Sequence, residues 1–188
     1  RTTSSAASDV YKRQPLARLI AVGLLCWFKQ GWAETLTLSV DAIQVEDGDT
    51  LKVTVADGVK RVQLIGIDAP EDTENPKFVV DGKRTGLSHE TLLSLGIIAT
   101  GHLKKLIAAD GEYELRWESD KPDKYGRLLG ELFTLSGVSI NARMVDEGYA
   151  IALPGGTPTL QSMQRQAKSE RRGLWGLLAK PTRLWACL

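Results

Sequence analysis

Carboxylates cluster at two places where apolar strands should begin or end. Asp49 follows the Asp47-Gly48 pair at the start of DTLKVTV, and Asp68 and Glu71 flank Ala69-Pro70 at the end of VQLIGIDAPE, residues 62–71. A strand interior gains nothing from such acids, so both stretches read as scaffolds that deliver charge to a site. Adjacent strand ends bring Asp49 and Asp68 together, and hard oxygen ligands of this kind suit Ca²⁺ or Mg²⁺ in preference to a transition metal. Pro70 restrains Ala69 towards an extended backbone, which leaves the Ala69 carbonyl as a further oxygen donor. Glu71, one step beyond, is placed to hold or deprotonate a water. Each piece is weak alone: an Asp-Gly pair between β-branched runs is first of all a hairpin turn, and carboxylates near a proline are usually solvated surface.

The elements that must position these groups follow from turn chemistry and periodicity. Asp47-Gly48 and Asp57-Gly58 divide residues 35–67 into three strands, LTLSVDAIQVE, DTLKVTV and VKRVQLIGI. In the third, Arg61, Gln63, Ile65 and Ile67 share one parity and Val62, Leu64 and Gly66 the other. Residues 72–90 are polar and read as a long irregular excursion. Ile98, Leu103, Leu106 and Ile107 then fall at helix spacing. Two further strands, EYELRWE and GRLLGELFT, are joined by SDKPDKY. INARMVDEG reads as a short helix closed by Gly148, and TLQSMQRQAKSERRG as another with Gly173 at its C-cap. Five strands in a three-plus-two order with helices around them predict an α+β fold built on a small antiparallel barrel of OB type.

Taken together, EDGDTL at 46–51, LIGIDAPE at 64–71, DKYGRLL at 123–129 and INARMVDEGYA at 140–150 resemble the staphylococcal nuclease (thermonuclease) family in order and spacing, over roughly residues 37–176. Trp175 in GLWG fits the family's usual ending. The resemblance implies a five-stranded OB-fold β-barrel with packed helices. It also implies a Ca²⁺-dependent phosphodiesterase that cuts DNA and RNA, preferentially single-stranded, with little sequence preference. Carried over residue by residue, Asp49 and Asp68 match calcium-binding aspartates, and Ala69 matches a position that binds through its carbonyl. Glu71 matches the glutamate that positions or activates the attacking water. Arg127 matches an arginine that binds phosphate and stabilises developing charge, and Lys124 and Tyr125 match positions that touch a nucleotide phosphate.

Two departures bear on activity. Gln63 stands where family members commonly have arginine, so a neutral amide replaces a charged bidentate fork. Restoring arginine at 63 is expected to add a second charged donor unless Arg61, two residues back on the same strand face, already reaches the phosphate. The stretch after INARMVDEGYA is IALPGGTP, without the tyrosines often found there for base stacking. These departures motivate an alternative reading, a catalytically weakened OB module that binds nucleic acid or protein. His89 and His102 match no required role.

Residues 1–14 have neither an initiating Met nor hydrophobic periodicity and read as non-native sequence. The apolar run LIAVGLLCWF after Arg18, followed by KQGWA, has the make-up of a signal peptide cleaved before Glu34. It is shorter than the roughly 20 apolar residues that span a bilayer, with an uncleaved membrane anchor as the alternative. The expected organisation is therefore a leader over 1–33, a nuclease domain over 34–176 and a short tail over 177–188. The protein is expected to be exported, monomeric and not stably associated with membrane. Five of the 24 basic residues but one of the 23 acids lie in 1–33, so the remainder is formally −3. Holding nucleic acid by bulk phosphate attraction would need a basic surface. Cys187 is the one cysteine left after residue 33, so no internal disulfide is available to that part of the chain.

Overall fold

A computed structural model describes residues 34–117, 119 and 121–187. The leader and signal segment expected over 1–33 lie outside the described residues. In chain order the elements are β1 (Glu34–Ser39), a 3₁₀ turn (Val40–Ala42), β2 (Ile43–Val45), β3 (Thr50–Val55), β4 (Gly58–Leu64), β5 (Ile67–Asp68), α1 (Pro76–Thr85), α2 (His89–Ala108), β6 (Glu112–Trp117), β7 (Leu128–Thr134), α3 (Ile140–Asp146), β8 (Ile151–Ala152), α4 (Pro158–Glu170), α5 (Leu174–Leu177) and α6 (Ala179–Trp185).

Both Asp-Gly turns form where expected, and β3 and β4 pair as a hairpin with Leu51 opposite Val62 and Thr50 opposite Gln63. Alternation sets the faces: Leu51, Val53, Val62 and Leu64 are buried, which sends Arg61 and Gln63 to the other side of β4. The parallel pairing of β4 with β7 places Gln63 opposite Leu129.

The main sheet has six strands in the order β1-β6-β7-β4-β3-β2 and is not closed into a barrel; β5 and β8 form a separate two-stranded ladder. The five-strand count failed because the first expected strand is interrupted. The Val40 N–H donates to the Gly111 carbonyl, and the chain turns there so that β1 pairs with β6 while β2 pairs with β3. One run of sequence therefore supplies both outer strands.

Residues 72–90, expected to be irregular, contain α1 and the start of α2. Asn75 caps α1 by accepting from the Phe78 N–H, Pro76 occupies the first turn, and Gly86 closes the helix at φ 66°. Each is a standard boundary signal. Phe78 is buried, and Trp185 of α6 donates its indole N–H to the buried Asp81 carboxylate. Arg84 donates both to Asp81 and to the Trp185 carbonyl, tying α1 to the C-terminal helix.

The second helix is longer than its expected core, beginning at His89 after the Ser88 cap. Leu92, Leu95, Ala99, Leu103 and Leu106 make its buried stripe. At 170–173 the expected Gly173 cap is displaced: α4 ends on Arg171 in the left-handed region, φ 54°. Arg172 binds Asp146 and Glu170, locking α4 to the end of α3.

His102, on α2, stacks on Tyr149 at 3.7 Å and meets Glu147 Oε2 at 2.6 Å. Burial holds this imidazole below its ordinary value of 6.5, outweighing the pull of Glu147; Arg143 and Lys105 add to the depression. A depressed histidine contributes stability above the unfolded value and loses it as pH falls. Wild type is therefore expected to lose more melting temperature than His102→Gln between about pH 7.5 and about pH 5.5. Parallel pH–melting curves for the two proteins would refute this.

Candidate active site

The end of the β3–β4 hairpin and the short β5 strand bring the expected acids together. Asp49 is 5% exposed; its Oδ2 accepts from the Ala69 N–H at 2.8 Å and its Oδ1 from the Thr50 hydroxyl at 3.2 Å. The bond from Ala69 fastens the start of β3 to the residue after β5. Asp68 and Glu71 are each 9% exposed. With Asp49, Gln63, Lys77 and Arg127 they line one cleft of about 340 Å³. A larger cleft of about 470 Å³ lies elsewhere, between Leu36, Val53, Leu115 and Leu128. Its acids, Glu34 and Asp57, make no comparable convergence with an arginine, so the chemistry points to the smaller one.

Lys77, in the first turn of α1, is the residue the sequence reading missed. Its ammonium lies 3.0 Å from Asp68 Oδ1, 3.0 Å from the Ala69 carbonyl oxygen and 2.7 Å from Glu71 Oε1. Asn75 donates to the other Glu71 oxygen at 2.5 Å. The signal was the Asn-Pro pair at 75–76, which starts a helix and swings position 77 back over the acids.

The charge in this cleft is unbalanced. Burial raises the Asp49 carboxyl above the usual carboxylate range, and Asp68 beside it adds to the effect. Asp68 is raised by burial despite Lys77. Asp47 is pushed up to about 7 by burial and by Asp49. Burial alone would lower Lys77, but Asp68, Glu71 and Asp49 overcome it and hold the ammonium above its ordinary value.

Among the described residues no group of three His, Cys, Asp or Glu side chains forms a ready metal cluster. Two carboxylates and a carbonyl instead close on the Lys77 cation, with Asp49 behind them. An oxygen donor set with surplus negative charge fits a hard divalent cation such as Ca²⁺.

Arg127 enters from the other side, one residue before β7. Its Nε and Nη2 donate to Asp123 Oδ2 at 3.0 and 2.8 Å, and Nη1 donates to Gln63 Oε1. Gln63 Oε1 also accepts from the Thr50 hydroxyl at 3.3 Å. Gln63 thus holds the guanidinium of Arg127.

Arg61 does not serve the site. It forms a two-point ion pair with Glu46, at 2.7 and 3.0 Å; Glu46 follows β2, on the far side of β3 from β4, and the long Arg61 side chain reaches across to it. Tyr125 is 63% exposed, with Lys124 Nζ 4.9 Å and the Arg127 guanidinium 5.3 Å from its ring centre. Lys124 and Tyr125 therefore stand at the rim beside Arg127 and do not line the cleft.

A mixed α+β domain whose cleft sets buried carboxylates and a lysine opposite a tethered arginine has the make-up of a phosphoryl-handling site. The chain belongs to the staphylococcal nuclease homologue family, whose model matches residues 61–176. It is 30% identical to Endonuclease YhcR of Bacillus subtilis over 141 residues, covering 70% of this chain but only 11% of that protein's length. It is 28% identical over 135 residues to an uncharacterized endonuclease of Escherichia coli O157:H7, covering 71% of this chain and 74% of the relative. The SPbeta prophage-derived endonuclease YokF of B. subtilis is 30% identical over 136 residues, covering 69% and 41%.

Proposed function

We propose that this chain is a Ca²⁺-dependent, sugar-nonspecific nuclease that hydrolyses phosphodiester bonds in DNA and RNA, with single strands preferred. The observation that carries this reading is that Asp49, Asp68, Glu71 and Arg127 line one cleft. Asp49, Asp68 and the Ala69 carbonyl would hold the cation, which when bound supplies Lewis-acid polarisation of a phosphoryl oxygen. Glu71 orients a water for in-line attack on phosphorus and takes its proton at a carboxylate oxygen. Arg127 donates to the non-bridging oxygens as charge builds on them. Asp123 and Gln63 hold its plane beforehand, so little reorganisation accompanies the reaction. The exposed ring of Tyr125, beside Lys124, offers a strand both a stacking face and a phosphate donor.

The test is hydrolysis of heat-denatured DNA by the purified protein, with activity expected in calcium and lost on chelation. No cleavage across a wide range of calcium and pH would remove the enzyme reading. A second reading, an OB module that binds nucleic acid or protein with weakened catalysis, is favoured by one observation. Gln63 replaces a charged donor and spends its carbonyl on Arg127. It predicts oligonucleotide affinity that falls with salt and no product on long incubation.

A further inference from the structure

Lys77 is held in place more firmly than a surface lysine. An ammonium has three donors and no acceptor, and here Asp68, Ala69 and Glu71 take one each. The helix carrying it is anchored by the Asn75 cap and by buried Phe78. Asn75 also grips Glu71, so lysine, cap and carboxylate form one unit. The side chain nonetheless keeps 39% of its surface exposed. Part of the side chain thus reaches solvent, and rotation of its flexible stem would withdraw the ammonium without moving α1.

We propose that Lys77 is an intramolecular cation of the carboxylate site: its ammonium holds two of the oxygens that a divalent cation would use, those of Asp68 and the Ala69 carbonyl, and the divalent cation binds by displacing it. The inference rests on the metal reading given above and adds to it. Two cations cannot share Asp68 and the Ala69 carbonyl at these distances, so apparent affinity is the intrinsic affinity scaled by the fraction of molecules with Lys77 withdrawn. The displacement also frees Glu71 Oε1, which otherwise accepts from Lys77. Cation binding and release of the water-activating carboxylate then become one event. Without the divalent cation, Lys77 offsets part of the repulsion among Asp49, Asp68 and Glu71 and keeps the site assembled.

Isothermal titration of the full chain with CaCl₂ at fixed ionic strength tests this. Lys77→Met keeps the length of the side chain and removes its charge, and should bind Ca²⁺ about tenfold more tightly or better. Lys83→Met makes the same charge change at an exposed position on the same helix and should shift affinity less than about twofold. Equal shifts in the two variants would reduce the effect to net charge and overturn the proposal. Equal Ca²⁺ affinity in wild type and Lys77→Met would overturn it while leaving the metal reading intact. Failure of both to bind would sink both.

The wild-type protein gives an independent readout should Lys77→Met not fold. The Lys77 ammonium resonance, protected from exchange by its three acceptors, should be lost to fast exchange as Ca²⁺ saturates. Its persistence at saturation would refute displacement.

Discussion

Replacing Gly96 by alanine should cost about 3 kcal/mol or more, at the upper end of what overpacking a tight contact does. At roughly 2–4 °C per kcal/mol for a chain of this size, melting should fall by about 6–12 °C. A Cβ at this position would lie 2.0 Å from the Glu71 carbonyl oxygen, 2.2 Å from its carbon and 2.5 Å from the Asp72 nitrogen. These are backbone atoms and cannot swing aside like a side-chain tip. The second helix is pressed against the main chain of the carboxylate loop, so the substitution must move either the helix or Glu71. Activity should fall even at temperatures where the variant is still folded.

Gly101 provides the control within the same helix, since nothing lies within 4 Å of a Cβ built there. Gly101→Ala should stabilise by about 0.4–1 kcal/mol through helix propensity and unfolded-chain entropy. Melting curves of the two variants, one falling and one rising, check the packing directly. A Gly96→Ala protein that melts like wild type would show that α2 does not bear on Glu71.

The second large effect is on rate. Arg127→Ala should lower single-turnover hydrolysis by on the order of 10²–10³-fold, the scale for losing an oxyanion donor. Melting should change little, because among the described residues the Arg127 side chain bonds Asp123 and Gln63 and meets the exposed Tyr125 ring, all at the edge of the cleft. An unaltered rate would remove Arg127 from the chemistry. The same geometry reverses the sequence expectation for Gln63. An arginine at 63 has no acceptor to offer Arg127 or Thr50, and it would set two guanidinium groups against each other. Gln63→Arg should therefore fail to raise the rate.

How much of this was legible in the sequence depended on whether the controlling interaction was local. The Asp-Gly hairpins were legible because turn geometry is set by the residues in the turn. The gathering of Asp49 and Asp68 was legible in outcome but not in route: β4 stops at Leu64, and Asp68 lies on β5, paired with β8. The first helix was hidden because residues 72–90 are polar and its burial rests on Phe78 and Asp81, the latter meeting Trp185 from more than a hundred residues away. The break at Val40–Ala42 was hidden for a similar reason: the carbonyl that bonds there belongs to Gly111. Gln63 and Lys77 were misjudged or overlooked because their roles are set by partners rather than residue type. Glu46 removes Arg61 from consideration, and Asn75 with Pro76 aims Lys77 at the acids.

The split first strand also governs how the sheet presents itself to other molecules. A sheet normally has two independent margins, each with unpaired amides and carbonyls that invite a foreign strand. Here both margins are halves of one twelve-residue stretch, 34–45, hinged at Val40–Ala42. If that stretch lets go, the flanks of β6 and β3 are bared together, which makes it the natural segment for two copies to exchange. The integrity of the whole sheet against self-association is thus vested in one short length of chain.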